Sequence, residues 1–140
     1  MGQYWLVVNL DRKEFLNPHR VGCGLKLGEQ LHTFPGTPNA LLMLCSAMPI
    51  RRGGGNINPS TVVGRWAGNR VAVVGDYAED DDFPMKDGDI PASKIYGECK
   101  ADVSSKFTDI SDLVAEAIED EFNGKFVGDG WREFKVNDQE

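Results

Sequence analysis

TVVGRWAGNRVAVVGDY, residues 61–77, carries two β-branched runs, VVGRW and RVAVV, joined by Ala67-Gly68-Asn69. Two short runs of this kind around a Gly-Asn pair predict a β-hairpin. The second run stops in Gly75-Asp76-Tyr77, just before the acidic tract Glu79-Asp80-Asp81-Asp82. A strand that ends this way sets Asp76 and Tyr77 at the edge of a sheet, where binding residues gather.

Working outward, two further hairpins are expected. Tyr4 to Leu10 is a continuous apolar run, as in a central strand, and Lys13 to Leu16 returns after the turn Asp11-Arg12. Near the other end, Lys125 to Val127 and Trp131 to Val136 flank Gly128-Asp129-Gly130. Ser93 to Cys99 reads as one more short strand. Two helices stand out. Leu41, Leu42, Leu44, Cys45 and Met48 form an apolar face behind Asn39 as a cap. Ile110, Leu113, Val114, Ala117, Ile118 and Phe122 recur at helical spacing, with Thr108, Asp109 and Ser111 as caps and Asn123-Gly124 as a left-handed stop. Residues 51–60 and 78–91, rich in Gly, Pro and Asp, read as long loops.

These elements predict an α+β fold: a mainly antiparallel sheet of about five or six strands, covered on one face by two principal helices. A chain of 140 residues predicts a single domain, here 1–136, with a frayed tail at 137–140. The net charge of −7 and the pI near 4.8 argue against direct contact with nucleic acid. No apolar run reaches the length of a membrane span, and the start lacks the pattern of a signal peptide. The three cysteines, Cys23, Cys45 and Cys99, are odd in number and lack metal-ligand spacing. They read as reduced thiols in a cytoplasmic protein. Cys45 and Cys99 are expected in or beside the core, and Cys23 in a loop.

The candidate binding surface is aromatic and charged. It comprises Trp66, Arg70, Asp76 and Tyr77 from one hairpin, and Asp129 and Trp131 from another. Arg70 stacked on Trp66 can hold a planar or anionic ligand. Arg70 and Asp76 are expected to face one loop-rich end without touching each other, Asp76 taking Arg65, Arg132 or a backbone N–H. Arg51 and Arg52 before three glycines make a second candidate, for an anion. They do not form a nucleotide-binding loop, because no Gly-Lys-Ser/Thr follows. The acids at 79–89 offer hard ligands but fit no calcium-loop register, so they read as a solvated loop and no metal is expected. No cofactor motif is present.

Trp66-Ala67-Gly68-Asn69-Arg70-Val71 with Gly75-Asp76-Tyr77 resembles a W-x-G-[DN]-R-[VI]…G-D-Y pattern found in a loose group of small uncharacterised proteins of bacteria, phages and fungi. The opening GQYWLVVNLDRKE looks like the same group. Asp is commoner in that group where this chain has Asn69. The resemblance implies membership of the group and brings no activity with it.

Without a catalytic set, the leading expectation is a small soluble, non-catalytic binding or interaction protein that meets a protein or small ligand. One alternative is an enzyme on a small phosphorylated or glycosidic substrate, with Asp76, Asp129 or Glu79 as acid and base. Another is an acidic inhibitor of a nucleic-acid-binding protein, in which Glu79 to Asp82 and Glu116 to Glu121 imitate phosphates. A continuous acidic face favours that reading, and scattered acids count against it.

Overall fold

The structure, a computed structural model, describes residues 3–22, 26–47, 57–58, 60–101, 106–128 and 132–137. The chain runs β1 (Trp5–Asn9), β2 (Glu14–Leu16), α1 (Leu27–His32), α2 (Thr37–Cys45), β3 (Val71–Gly75), α3 (Ala92–Cys99), β4 (Thr108–Asp109), α4 (Ser111–Phe122), β5 (Gly124–Val127) and β6 (Glu133–Val136). The class is α+β, as the residue pattern predicts. The strands fall into two sheets: a four-stranded one in the order β3-β1-β2-β4, and the hairpin β5-β6. Among the described residues only β2 and β4 pair in parallel. Among the described residues no helix is long and apolar enough to cross a membrane.

β1 is central and reads as an unbroken apolar run because both its faces are covered. Leu6 and Val8 enter a core with Phe15, Val74 and the α3 residues Ile95 and Cys99. Val7 points the other way, into a core with Leu16, Leu44 of α2, and Val114 and Ile118 of α4. The two expected helices therefore share one face, and a third helix covers the other.

That third helix corrects the expected strand at 93–99. Ile and Tyr favour strands, but Ala92, Ile95 and Cys99 bury one stripe at helical spacing. The Asp80 carboxylate accepts the Ser93 N–H at 3.1 Å and so satisfies an orphan donor of its first turn.

The first half of the hairpin expected at 61–76 is also corrected. Residues 61–69 are successive turns, and only β3 is a strand. Their backbone closes the end of α2 instead. Gly64 N–H donates to Met43 C=O at 2.9 Å and Trp66 N–H to Leu44 C=O at 2.8 Å. Carbonyls that no helical turn follows thus find partners. Gly64 adopts φ +83°, and a Cβ there would lie 3.0 Å from the Ser46 carbonyl oxygen.

α4 keeps its expected span. Asp109 Oδ1 accepts from Ser111 N–H at 2.8 Å, and Asn123 ends the helix at φ 54°. The antiparallel pair β5-β6 follows as expected, and residues 129–131 between its strands lie outside the described residues. Of the tail expected to fray, Asn137 instead donates its N–H to Asn123 C=O at 2.9 Å. The remainder, 138–140, lies outside the described residues.

Candidate functional site

Of the residues singled out by sequence, Trp66 and Arg70 belong to a polar lock, and an open groove lies apart from them. Trp66 belongs to the lock. It is fully buried, at 0% exposure, so it cannot line a surface. Its indole Nε1–H donates to Glu14 Oε1 at 2.9 Å, and Arg65 grips the same carboxylate, with Nη2 2.6 Å from Oε2. Burial pushes the Glu14 carboxyl up, but the bonds from Arg65 and Trp66 outweigh it and hold the group below its ordinary value.

Arg70 also belongs to the lock rather than to a ligand platform. Its Nε donates to Asp11 at 2.9 Å, while Nη1 and Nη2 fork onto Asp89 at 2.9 and 3.1 Å. The fork and the Lys86 N–H lower the Asp89 carboxyl to about 2. Asp11 is lowered first by the Arg70 backbone N–H and then by its side chain. Asn9 completes the lock. Its Oδ1 accepts the N–H groups of Asp11 and Arg12, and its Nδ2 donates to Asn69 at 3.0 Å. The N-L-D-R-x-E and W-x-G-N-R segments thus share one polar network that ties the β1–β2 turn to the approach to β3.

Asp76 and Arg70 flank opposite ends of β3, which corrects the expectation that they face one end. Asp76 accepts the Tyr4 N–H at 3.2 Å, the backbone partner among its three expected candidates. Tyr77 is exposed, at 58%. Asp129, Trp131, Arg51, Arg52 and Cys23 lie outside the described residues.

The groove was not foreseen. A cleft of about 510 Å³ opens over the face of the four-stranded sheet. Val7 and Val73 form its floor, Leu27 and Leu31 of α1 one wall, and Leu41 and Leu42 of α2 the other. Leu31 and Leu42 are 66% and 73% exposed, so the rim is apolar and open to water. Gln30, Thr37 and Ser46 supply its few polar atoms. Cys45, expected in the core, instead lines this cleft and is exposed. A second, more polar hollow of about 300 Å³ shares Val73 and continues past Trp5, Gly75 and Tyr77 to Asp82 and Phe83.

No family model, curated protein or solved structure matches this chain.

None of the described residues that line the groove is acidic, basic or a histidine. The carboxylates with a displaced pKa, those of Asp11, Glu14, Asp80 and Asp89, are all moved downward by hydrogen bonds and charge. A general acid at neutral pH needs the opposite displacement. Burial pushes the Cys99 thiol up to about 12, which makes it a weak nucleophile. Glu79, Asp81 and Asp82 are exposed, and their carboxylates come within 4.8 Å of one another. They concentrate negative charge beside the second hollow.

Proposed function

We propose that this chain is a non-catalytic interaction protein that holds an apolar group of its ligand in the cleft between α1, α2 and the sheet. The observation that carries the reading is the cleft itself. Its volume of about 510 Å³ lies in the range of binding sites, and its lining is apolar with a few polar atoms to orient an occupant. Water-exposed leucines on two facing helices are costly surface unless something covers them. We therefore assign the binding surface to the region around Leu31, Leu42 and Val73, away from the buried Trp66.

Two other readings have less support. An acid–base enzyme would need an acidic group at the site, and none of the described residues that line the cleft is acidic. A phosphate mimic needs one continuous acidic face. Here the loop after β3 packs Ala78 and Phe83 into the core on the α3 side, while α4 covers the opposite face of the sheet. The two acidic segments are thereby separated.

The test uses a hydrophobic fluorescent dye, anilinonaphthalene sulfonate. It should brighten on binding the folded protein at neutral pH. The double variant Leu31→Asp, Leu42→Asp should lose that signal while melting as the parent does. A parent that leaves the dye dark, or a variant that still brightens it, removes the cleft as a site.

A further inference from the structure

β3 is an edge strand. Leu10 N–H donates to Arg70 C=O and Asp76 N–H to Tyr4 C=O, at 2.9 and 3.0 Å. With the register Leu6↔Val74 and Val8↔Ala72, the groups turned toward β1 are those of Ala72 and Val74. The N–H and C=O groups of Val71, Val73 and Gly75 therefore point away from the sheet. Ala78 N–H donates to the Gly75 C=O at 3.2 Å, and among the described residues no backbone group answers the others. An edge left so is a template for another strand.

Val73 also belongs to both hollows. Its side chain rises into the apolar cleft, and its outward backbone lies at that cleft's border. On one face of a strand, residues two apart are about 7 Å from each other. A strand laid along β3 with one side chain beside Val73 would direct it into the cleft. The side chain two positions away, beside Gly75, would enter the second hollow. There Asp82 lines the wall, with Glu79 and Asp81 close by, and Trp5 and Tyr77 offer aromatic faces to a cation. The first subsite calls for an apolar side chain and the second for a positive one.

We propose that β3 accepts an extended peptide as an added strand, with an apolar residue in the cleft and a lysine or arginine two positions from it beside Asp82. This rests on the cleft reading above and names its ligand class. Backbone hydrogen bonds give such a complex its affinity, and the alternate side chains give it selectivity.

The probe is the heptapeptide acetyl-STKTLTS-amide, whose lysine precedes the leucine by two residues so that an antiparallel strand sets leucine opposite Val73 and lysine opposite Gly75. It is added to the isotope-labelled full chain and followed by NMR and amide hydrogen exchange. The expected result is protection of the Val73 and Gly75 amides, together with contacts between the peptide leucine and Leu42. N-methylation of the leucine amide, which leaves the side chains alone, should weaken binding by at least about tenfold, because the ladder is lost. Replacing the peptide lysine by glutamate, or Asp82→Asn in the protein, should weaken it by about threefold to tenfold, and more at low salt. If the dye binds and the peptide leaves the Val73 amide unprotected, strand addition is wrong and the cleft reading stands. If neither binds, both fall. Equal affinity for the N-methylated peptide would also overturn the proposal.

Discussion

Glu14 is the residue on which most of the polar network converges. It is buried, and its two oxygens receive Arg65, Trp66 and Arg12. Removing one partner of such a group leaves the others desolvated and uncompensated, which costs more than the pair itself contributes. Glu14→Ala should lower stability by ~3–5 kcal/mol in urea denaturation. A loss below the scatter of surface substitutions would mean that Arg65 and Trp66 find other partners.

Acid stability belongs to the same scale. Asp89 releases its proton at about 2 in the folded chain against 3.8 ordinarily, and Asp11 and Glu14 are displaced the same way. The folded state binds these protons less readily than the unfolded one. The stabilisation is therefore whole above the ordinary carboxylate range and drains away as the pH falls toward 2. A plot of Tm against pH should fall through that window. Asp89→Asn should flatten it, lowering Tm at neutral pH and converging with the parent in acid.

At the scale of elements, α2 has its end closed by the turns at 61–69 and one of its faces open to the cleft. Gly64→Ala meets both a left-handed backbone and the Ser46 carbonyl. A cost of ~1–3 kcal/mol should appear in thermal melts. Cys45, exposed on the cleft wall, should react with a maleimide in the Cys23→Ser background, while buried Cys99 stays unlabelled until the chain unfolds. Dye or peptide bound in the cleft should slow that labelling. Periodicity made some elements legible: β1, β2, α4 and the β5-β6 hairpin stand where the pattern set them. It failed where tertiary contacts override local preference. Thr61 to Trp66 carries strand formers, yet its Gly64 and Trp66 N–H groups are spent on α2 carbonyls, and no local pattern reveals a partner so far along the chain. KIY in α3 misled for the same reason, since its burial at helical spacing is decided by the sheet beneath it.

For the whole molecule, the candidate site was the least legible part. Trp, Arg and Asp close together look alike whether they bind a ligand or lock a turn, and only burial separates the two. Trp66 proved to be buried, and the half-buried Arg70 is spent on Asp11 and Asp89. The cleft is lined jointly by α1, α2 and Val73 of the β3 edge, a juxtaposition that neither helix encodes alone. Tyr77 stands at the end of β3 and in water, as a strand ending in Gly-Asp predicts, and it lines the second hollow.

The polar lock has a last consequence. Asn9 meets Asn69 across sixty residues, Asp11 meets Arg70, Glu14 meets Arg65 and Trp66, and β1 pairs along β3. Each of these contacts joins the part of the chain before the Gly53-Gly54-Gly55 run to the part after it. The molecule is thus two half-chains that recognise one another, with no hydrophobic core wholly owned by either. A chain divided between Gly54 and Gly55 should reassemble when the fragments 1–54 and 55–140 are made together. Each fragment alone should stay unfolded by circular dichroism. Glu14→Ala should abolish the reunion in a split-reporter assay, which would turn an internal fastening into a self-sorting connector.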